Sequence, residues 1–450
     1  MNSSPQPYDV IVIGAGPAGT AAAIAAGRRG CRVLLLEQQG FCGGMATAGL
    51  VNPILGHYYR NPETGGDGSL IEGLLDELFA RLDTRRARLR FRYTSAPSGV
   101  FSDAFDDAWL RVIYDRLLAE AGVETRYHTQ LLEARCAGDR LQSVRVVCKA
   151  QLLEFAAGAF IDATGDADLA AQCGVGVQVG RDGDGLCQPC STMFRMGGVD
   201  KERLLARGLQ AARDEVNLRF QQARASGRLE FPFRDQLAFY EFPRPGVLHF
   251  NSTRMTGAPA LTAGRLSELE IEGRRQAALL CDWLIADVPG FEHAFLESLA
   301  PRVGVRETRR TRGLYTMTRQ NIVDGTRFPD GIARSAYFID IHDPRGAGGL
   351  HADREVGGTV KAEFKPRRYY EVPLRALQNA QVENLLVACR ALSADHHAHA
   401  AIRVMGTLTA VGEAAGVAAG LAREAGKPVA EINGADVRAR LAYLDQPLSF

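Results

Sequence analysis

Three features of this 450-residue chain predict an α/β fold. Near the N-terminus a short apolar run, Val10-Ile11-Val12-Ile13, enters a glycine turn, then an Ala-rich helix, then a second apolar run that ends in an acid. The same style returns late in the chain, with Asn384-Leu385-Leu386-Val387-Ala388 as a buried strand and Gly406 to Glu424 as a long small-residue helix. Between the two, from Gly180 to about Lys365, the sequence is looser and rich in Arg, Pro and Gly. The prediction is a Rossmann-like nucleotide-binding domain interrupted by an inserted mixed α/β substrate domain. The expected boundaries are 1–180 and 371–430 for the two parts of the nucleotide domain, 181–370 for the insert and 431–450 for a tail.

The opening unit is specified residue by residue. Val10 to Ile13 is β-branched and apolar, as a strand buried on both faces requires. In Gly14-Ala15-Gly16-Pro17-Ala18-Gly19, Gly14 turns the chain, Gly16 lets backbone approach a pyrophosphate, and Gly19 lets the helix pack against the strand. Free N–H groups and the positive dipole end at the helix start then face the phosphates. Val33-Leu34-Leu35-Leu36 delivers Glu37, whose carboxylate accepts hydrogen bonds from ribose hydroxyls. Pro17-Ala18-Gly19 and an acid in place of an arginine favour FAD over NADP. The acid alone does not separate FAD from NAD.

Beyond Glu37, the small-residue stretch around Gly43, Gly44, Met45 and Thr47 allows a flat ligand to lie against backbone. Helical spacing of Leu70, Leu74, Leu75 and Leu78, and later of Trp109, Val112, Ile113 and Leu117, predicts helices packed on the sheet. Residues 122–161 change to period two and read as a meander of Val123–Tyr127, Ser143–Val147 and Leu152–Ile161, turning at Ala137 to Arg140. It ends at Asp162-Ala163-Thr164-Gly165-Asp166, a second place where backbone at Thr164 and Gly165 is presented to a nucleotide. In the insert, helices are expected near Lys201–Arg224 and Leu266–Ala286.

Bulk properties narrow the partners. A formal net charge of +1 gives no reason to expect a nucleic-acid or acidic-lipid partner. Residues Met1 to Gln6 are polar without a basic start, so no secretory leader is expected, and no uninterrupted apolar stretch reads as a membrane span. The nine cysteines are scattered and odd in number, which reads as reduced thiols in a cytoplasmic protein. Cys187-Gln188-Pro189-Cys190 has redox-disulfide spacing, but no helix start follows it, and ordinary loop cysteines are the favoured reading.

Taken together, Gly14–Gly19, Gly43-Gly44-Met45-Ala46-Thr47, Asp162 to Asp168, Pro289-Gly290-Phe291-Glu292, Gly304 to Arg310, Ile339-Asp340-Ile341-His342 and the block Asn384 to Gly416 resemble the FAD-dependent oxidoreductases of the glutathione-reductase-type FAD fold, in their poorly characterised branch. The chain departs from that branch at Cys389, where a glycine is usual, and at His397, where the branch tends to have Glu. The resemblance implies FAD as cofactor. It also implies that the helix starting near Met405, Gly406 and Thr407 aims its N-terminal amides at the flavin, with Arg403 adding charge there or binding a substrate carboxylate.

Candidate chemistry follows. His396 and His399, in Asp395-His396-His397-Ala398-His399, are candidates to exchange a proton with substrate. A metal reading of these histidines is set aside because convergent geometry is not implied by their spacing. Arg306 and Arg309, in a basic cluster followed by Tyr315, are candidates for holding a substrate anion. Asp340-Ile341-His342 alternates as a strand does and places an acid beside a candidate base, His342. The expected activity is a dehydrogenase or oxidase taking a hydride from a small polar, oxygenated metabolite to flavin N5, with an unspecified electron acceptor. Flavin monooxygenase and electron-transfer subunit are the alternatives. His57 and Cys42 leave covalent flavin attachment open, and a homodimer is the expectation for quaternary structure.

Overall fold

In a computed structural model describing residues 7–61, 64–92, 101–344, 369–446 and 448, strand Tyr8–Ile13 lies inside a seven-stranded mixed sheet. Met1 to Gln6, read above for a leader, lie outside the described residues. Tyr8–Ile13 pairs in parallel with Val33–Leu36 on one side and with the end of the long strand Gln151–Asp162 on the other. Leu385–Val387 adds in parallel beyond that long strand, so the chain returns to the sheet it began. The four residues of Val33–Leu36 are all buried, as their unbroken apolar run requires.

The long strand serves two pairings. Residues Gln151 to Ala156 pair antiparallel with Arg140–Cys148, while Ala157 and Ala159 to Asp162 pair in parallel with Tyr8 and Val10 to Ile13. The meander is Gln130–Ala137, Arg140–Cys148 and Gln151–Asp162, turning at Gly138 and Asp139. Its predicted first strand is displaced. Glu124–Arg126 instead pairs in parallel with Val33–Leu36 at the sheet edge, because a three-residue run satisfies either ladder and only tertiary contacts choose.

Helix Pro17–Arg28 packs on the late helix Met405–Ala425 through backbone-close contact. A Cβ placed on Gly412 would lie 2.0 Å from the Ala18 carbonyl oxygen, and one on Gly416 2.2 Å from that of Ala22. Only glycine permits this approach. The helix Met405–Ala425 is long and apolar enough to cross a membrane, against the expectation that no stretch is, and 89% of its most apolar window is buried inside the protein. Its alanines, which suit close helix packing, also raise its hydropathy.

The middle of the chain forms a second sheet, antiparallel, ordered Phe239–Glu241, Leu248–Phe250, Phe194–Gly197, Phe295–Leu299. Helices Leu209–Ala225 and Ala263–Asp287 accompany it, and Phe194, Phe220, Phe231, Phe239 and Phe250 fill a core of their own. Phe194 and Phe250 stack with ring centroids 4.8 Å apart. From this sheet the chain runs back along the nucleotide-binding part. Ser191 bridges Gly304, and Arg309–Thr311 pairs with Val177–Val179, which carries Arg302 and Arg306 to a shared cavity.

Candidate active site

A cavity of about 530 Å³ runs between the glycine turn and the second sheet, within the size range of small-molecule and cofactor sites. Gly14, Gly16, Pro17, Ala18, Gly19 and Glu37 line one end, joined by Gly44, Met45, Thr164 and Gly165. Gly14 has φ +96°, and a Cβ there would lie 2.4 Å from the Ala163 carbonyl oxygen. At Gly16 a Cβ would meet nothing within 4 Å, so this backbone faces open space at the start of helix Pro17–Arg28, which no side chain caps. The arrangement fits a dinucleotide pyrophosphate, with uncapped amides supplying the donors. Glu37 is held in place by two backbone donors, Ala15 N and Gln39 N, each 2.7 Å from its carboxylate.

The other end is built from charged side chains. Arg306 is 9% exposed and donates to the Pro189 carbonyl at 2.7 Å, to Ser191 Oγ at 2.8 Å and to Asn251 Oδ1 at 3.5 Å. None of these partners is charged, and no described carboxylate lies within ion-pair distance of it. Burial, reinforced by Arg403 and Arg234, lowers its pKa to about 9. The cation is therefore held short of compensation.

Beside it, His342 Nε2 lies 3.3 Å from Asp340 Oδ2, and both residues line the cavity. Burial, then the positive field of Arg306, lowers His342 to about 3, so its ring is neutral near pH 7. Burial works against the Asp340 carboxylate, but its neighbours His342, Arg403 and Tyr337 hold it ionised. Tyr337 donates its hydroxyl to Asp340 at 2.9 Å, and Arg403 lies 3.6 Å away. A neutral ring fixed by a carboxylate can accept a proton, and the adjoining cation can hold an anion.

Several sequence candidates lie elsewhere. His396 and His399 do not line the cavity. His396 Nδ1 pairs with buried Glu307 at 2.9 Å, and Arg310 joins the same carboxylate at 2.8 Å. His399 is 1% exposed, its Nδ1 has no hydrogen-bond partner, and burial lowers it to about 3. Arg309 points to Asp168 at 2.7 Å and is spent on that ion pair. The Tyr315 hydroxyl donates to Asn321 at 3.0 Å, away from the cavity. Their short sequence distance to the motifs does not bring these side chains to the same surface.

The late helix meets the cavity through Arg403, Val404, Met405 and Leu408, whereas Gly406 and Thr407 lie off its wall. A Cβ on Gly406 would lie 2.8 Å from the Leu55 carbonyl oxygen, and Thr407 donates to Ser335 at 2.8 Å. No side chain caps this helix either, so its first amides remain available at the wall. Cys389 lines the cavity, while Cys42 and His57 do not, His57 being paired with Asp103 at 2.8 Å in the interior. Cys187 and Cys190 are free thiols, pushed up by burial to about 12 and about 11. Among the described residues no three His, Cys, Asp or Glu side chains converge as a metal site would need.

Sequence reasoning missed Tyr240, Asn251 and Tyr337, all of which line the cavity. They converge from separate strands and loops, and no spacing links them.

The fold and the cavity define a dinucleotide-dependent enzyme. Residues 9–441 match the FAD dependent oxidoreductase family, and the chain belongs to it. It is an enzyme, and its cofactor is FAD. Over 147 residues it is 32% identical to the tRNA uridine 5-carboxymethylaminomethyl modification enzyme MnmG of Dichelobacter nodosus. That match spans 32% of this chain and 21% of the relative's length. A geranylgeranyl bacteriochlorophyll reductase-like protein of Thermoplasma acidophilum is similar across 99% of this chain and 93% of its own, at 12% identity and a TM-score of 0.47. The flavin-dependent brominase Bmp2 is similar across 98% of this chain and 83% of its own, at 11% identity and a TM-score of 0.48. Likenesses this distant carry nothing about substrate.

Proposed function

We propose that this protein is a flavin dehydrogenase or oxidase that removes a hydride from a small oxygenated metabolite bearing an anionic group. The observation that carries the reading is Arg306, a buried cavity-lining cation whose hydrogen-bond partners are all neutral. A substrate carboxylate or comparable anion would supply the missing charge through two parallel N–H donors. FAD supplies the hydride acceptor when bound.

This chain's residues do the rest. Arg306 binds and orients the anion, which places the neighbouring C–H and hydroxyl of the substrate. His342, neutral at working pH, takes the hydroxyl proton at the ring nitrogen that does not face Asp340. Asp340 fixes the ring and stabilises the imidazolium that forms, with Tyr337 and Arg403 holding Asp340 in turn. Electrons leave to dioxygen or to another acceptor.

The test is anaerobic flavin absorbance of the holoenzyme against hydroxy acids, amino acids, polyols and neutral sugars, followed by air. Bleaching by the acids and not by their neutral counterparts is the expected result. Rapid recovery in air marks an oxidase and its absence a dehydrogenase. Bleaching by neutral polyols alone would sink the anionic assignment, and bleaching by none of the panel would sink the dehydrogenase or oxidase reading.

A further inference from the structure

Four arginines line the cavity: Arg302, Arg306, Arg390 and Arg403. Two have carboxylate partners, Arg390 on Asp166 at 2.5 Å and Arg403 near Asp340 at 3.6 Å. Arg306 belongs to the substrate end. The fourth, Arg302, is half-buried, and its guanidinium has no carboxylate within ion-pair distance among the described residues. It has no place in the chemistry derived above.

Its surroundings say where its charge acts. Its own N–H donates to the Ala48 carbonyl at 2.9 Å, which ties it to the loop that follows Gly44 and Met45. The field of its guanidinium acts on the carboxylate of Glu37, which favours ionisation there against the cost of burial. Arg302 and Glu37 line the same cavity as Gly16 and Pro17, where the uncapped helix and the open space above Gly16 receive a pyrophosphate. Arg302 arrives there just after Phe295–Leu299, the edge strand of the second sheet.

We infer that Arg302 is a cofactor-binding residue that reaches across from the second sheet to hold the adenosine diphosphate end of FAD, so that both structural parts of the chain grip one cofactor. The glycine turn offers neutral amides and a helix dipole, and Glu37 adds a negative charge close by. Arg390, beside Gly165, is paired with Asp166, so an uncompensated positive charge is the element that this end lacks for a diphosphate, and Arg302 supplies it. A guanidinium also suits the task because its fork matches phosphate oxygens.

The experiment follows FAD release from the holoenzyme, read as the rise of flavin fluorescence on dilution, at low and at high salt. Arg302→Ala is expected to release FAD about tenfold to a hundredfold faster, the loss of one charge-assisted phosphate contact. Its release is also expected to depend less on salt than that of the unmodified protein, and the visible flavin spectrum is expected to keep its shape. Arg302→Lys, which keeps the charge, should fall between the two. Arg302→Gln, of similar bulk and without charge, carries the same expectation as the alanine variant and guards against a packing artefact. Release from Arg302→Ala and Arg302→Gln within twofold of the unmodified rate would overturn the assignment, as would a shifted flavin spectrum with unchanged release. The outcome is independent of which substrate bleaches the flavin.

Discussion

At the dinucleotide end the cavity wall is largely backbone, with Gly14, Gly16 and Gly165 presenting peptide groups and Glu37 pinned by two amides. At the other end it is side chain, with Arg306, Asp340, His342 and Tyr337 brought together from positions far from the glycine turn. The difference teaches what each end tolerates. A backbone wall is broken by adding a single carbon atom, whereas a side-chain wall is broken by removing a charge. It also separates binding from chemistry, so that damage at one end should leave the other measurable.

The largest effect is expected at the backbone end. Gly14→Ala places a Cβ at φ +96° and 2.4 Å from a carbonyl oxygen. A destabilisation of about 3 kcal/mol or more is expected, read as a lower thermal midpoint and as protein purified without flavin. Yellow protein of unchanged stability would show that the turn is not as tight as described.

Next comes Arg306→Ala, which should keep its flavin and lose activity. Loss of a buried charge-assisted anchor is expected to lower kcat/KM by about a hundredfold to a thousandfold. Arg306→Lys should recover part of it, since the charge remains and the fork does not. Loss of flavin from Arg306→Ala would erase the separation of the two ends.

Acid sharpens the comparison further. His342 and His399 both have folded-state pKa values near 3, lowered chiefly by burial, against about 6.5 in an unfolded chain. Their contribution to stability is complete above the unfolded value and is lost as pH falls from there toward 3, by up to about 1.4 kcal/mol per pH unit per histidine. Urea unfolding between pH 7.5 and 5.5 should show this downward contribution, opposed in the same window by Glu413, raised by burial to about 7, and by Asp76 and Asp162, raised by burial to about 6. His399→Gln should flatten it, because that ring stays unprotonated at the cost of lost folding stability, and an unaltered slope would contradict the burial of a neutral ring. The smallest effect belongs to Tyr315→Phe, which should cost about 1 kcal/mol of stability for one half-buried hydrogen bond and leave kcat/KM within about twofold.

The backbone end was legible in the sequence because glycine spacing and β-branched runs are local signals. Gly14, Gly16, Gly19 and Glu37 could be placed from about thirty consecutive residues. Of the charged end only part was legible. Arg306, His342 and Arg403 stood out as charge beside family motifs. Tyr240, Asn251 and Tyr337 did not, since nothing within their own segments says that they will meet. His396 and His399 misled for the same reason, because nearness to Arg403 in sequence says little about which way a helical side chain faces, and Glu307 and burial claim them. Glu124–Arg126 misled because three residues are too few to fix a partner strand.

The pairing of Pro17–Arg28 with Met405–Ala425 has a consequence for how the chain is made. Residues Ala18 to Ala26 of the first helix are buried, in part under a helix that leaves the ribosome almost four hundred residues later. During synthesis that alanine face stays wet, and the cavity lacks Arg403, Val404, Met405 and Leu408 until that helix begins to emerge. The cofactor's complete grip therefore waits until Leu408 has been made, and a chain that stops before residue 405 leaves its opening helix without the partner shaped to fit it.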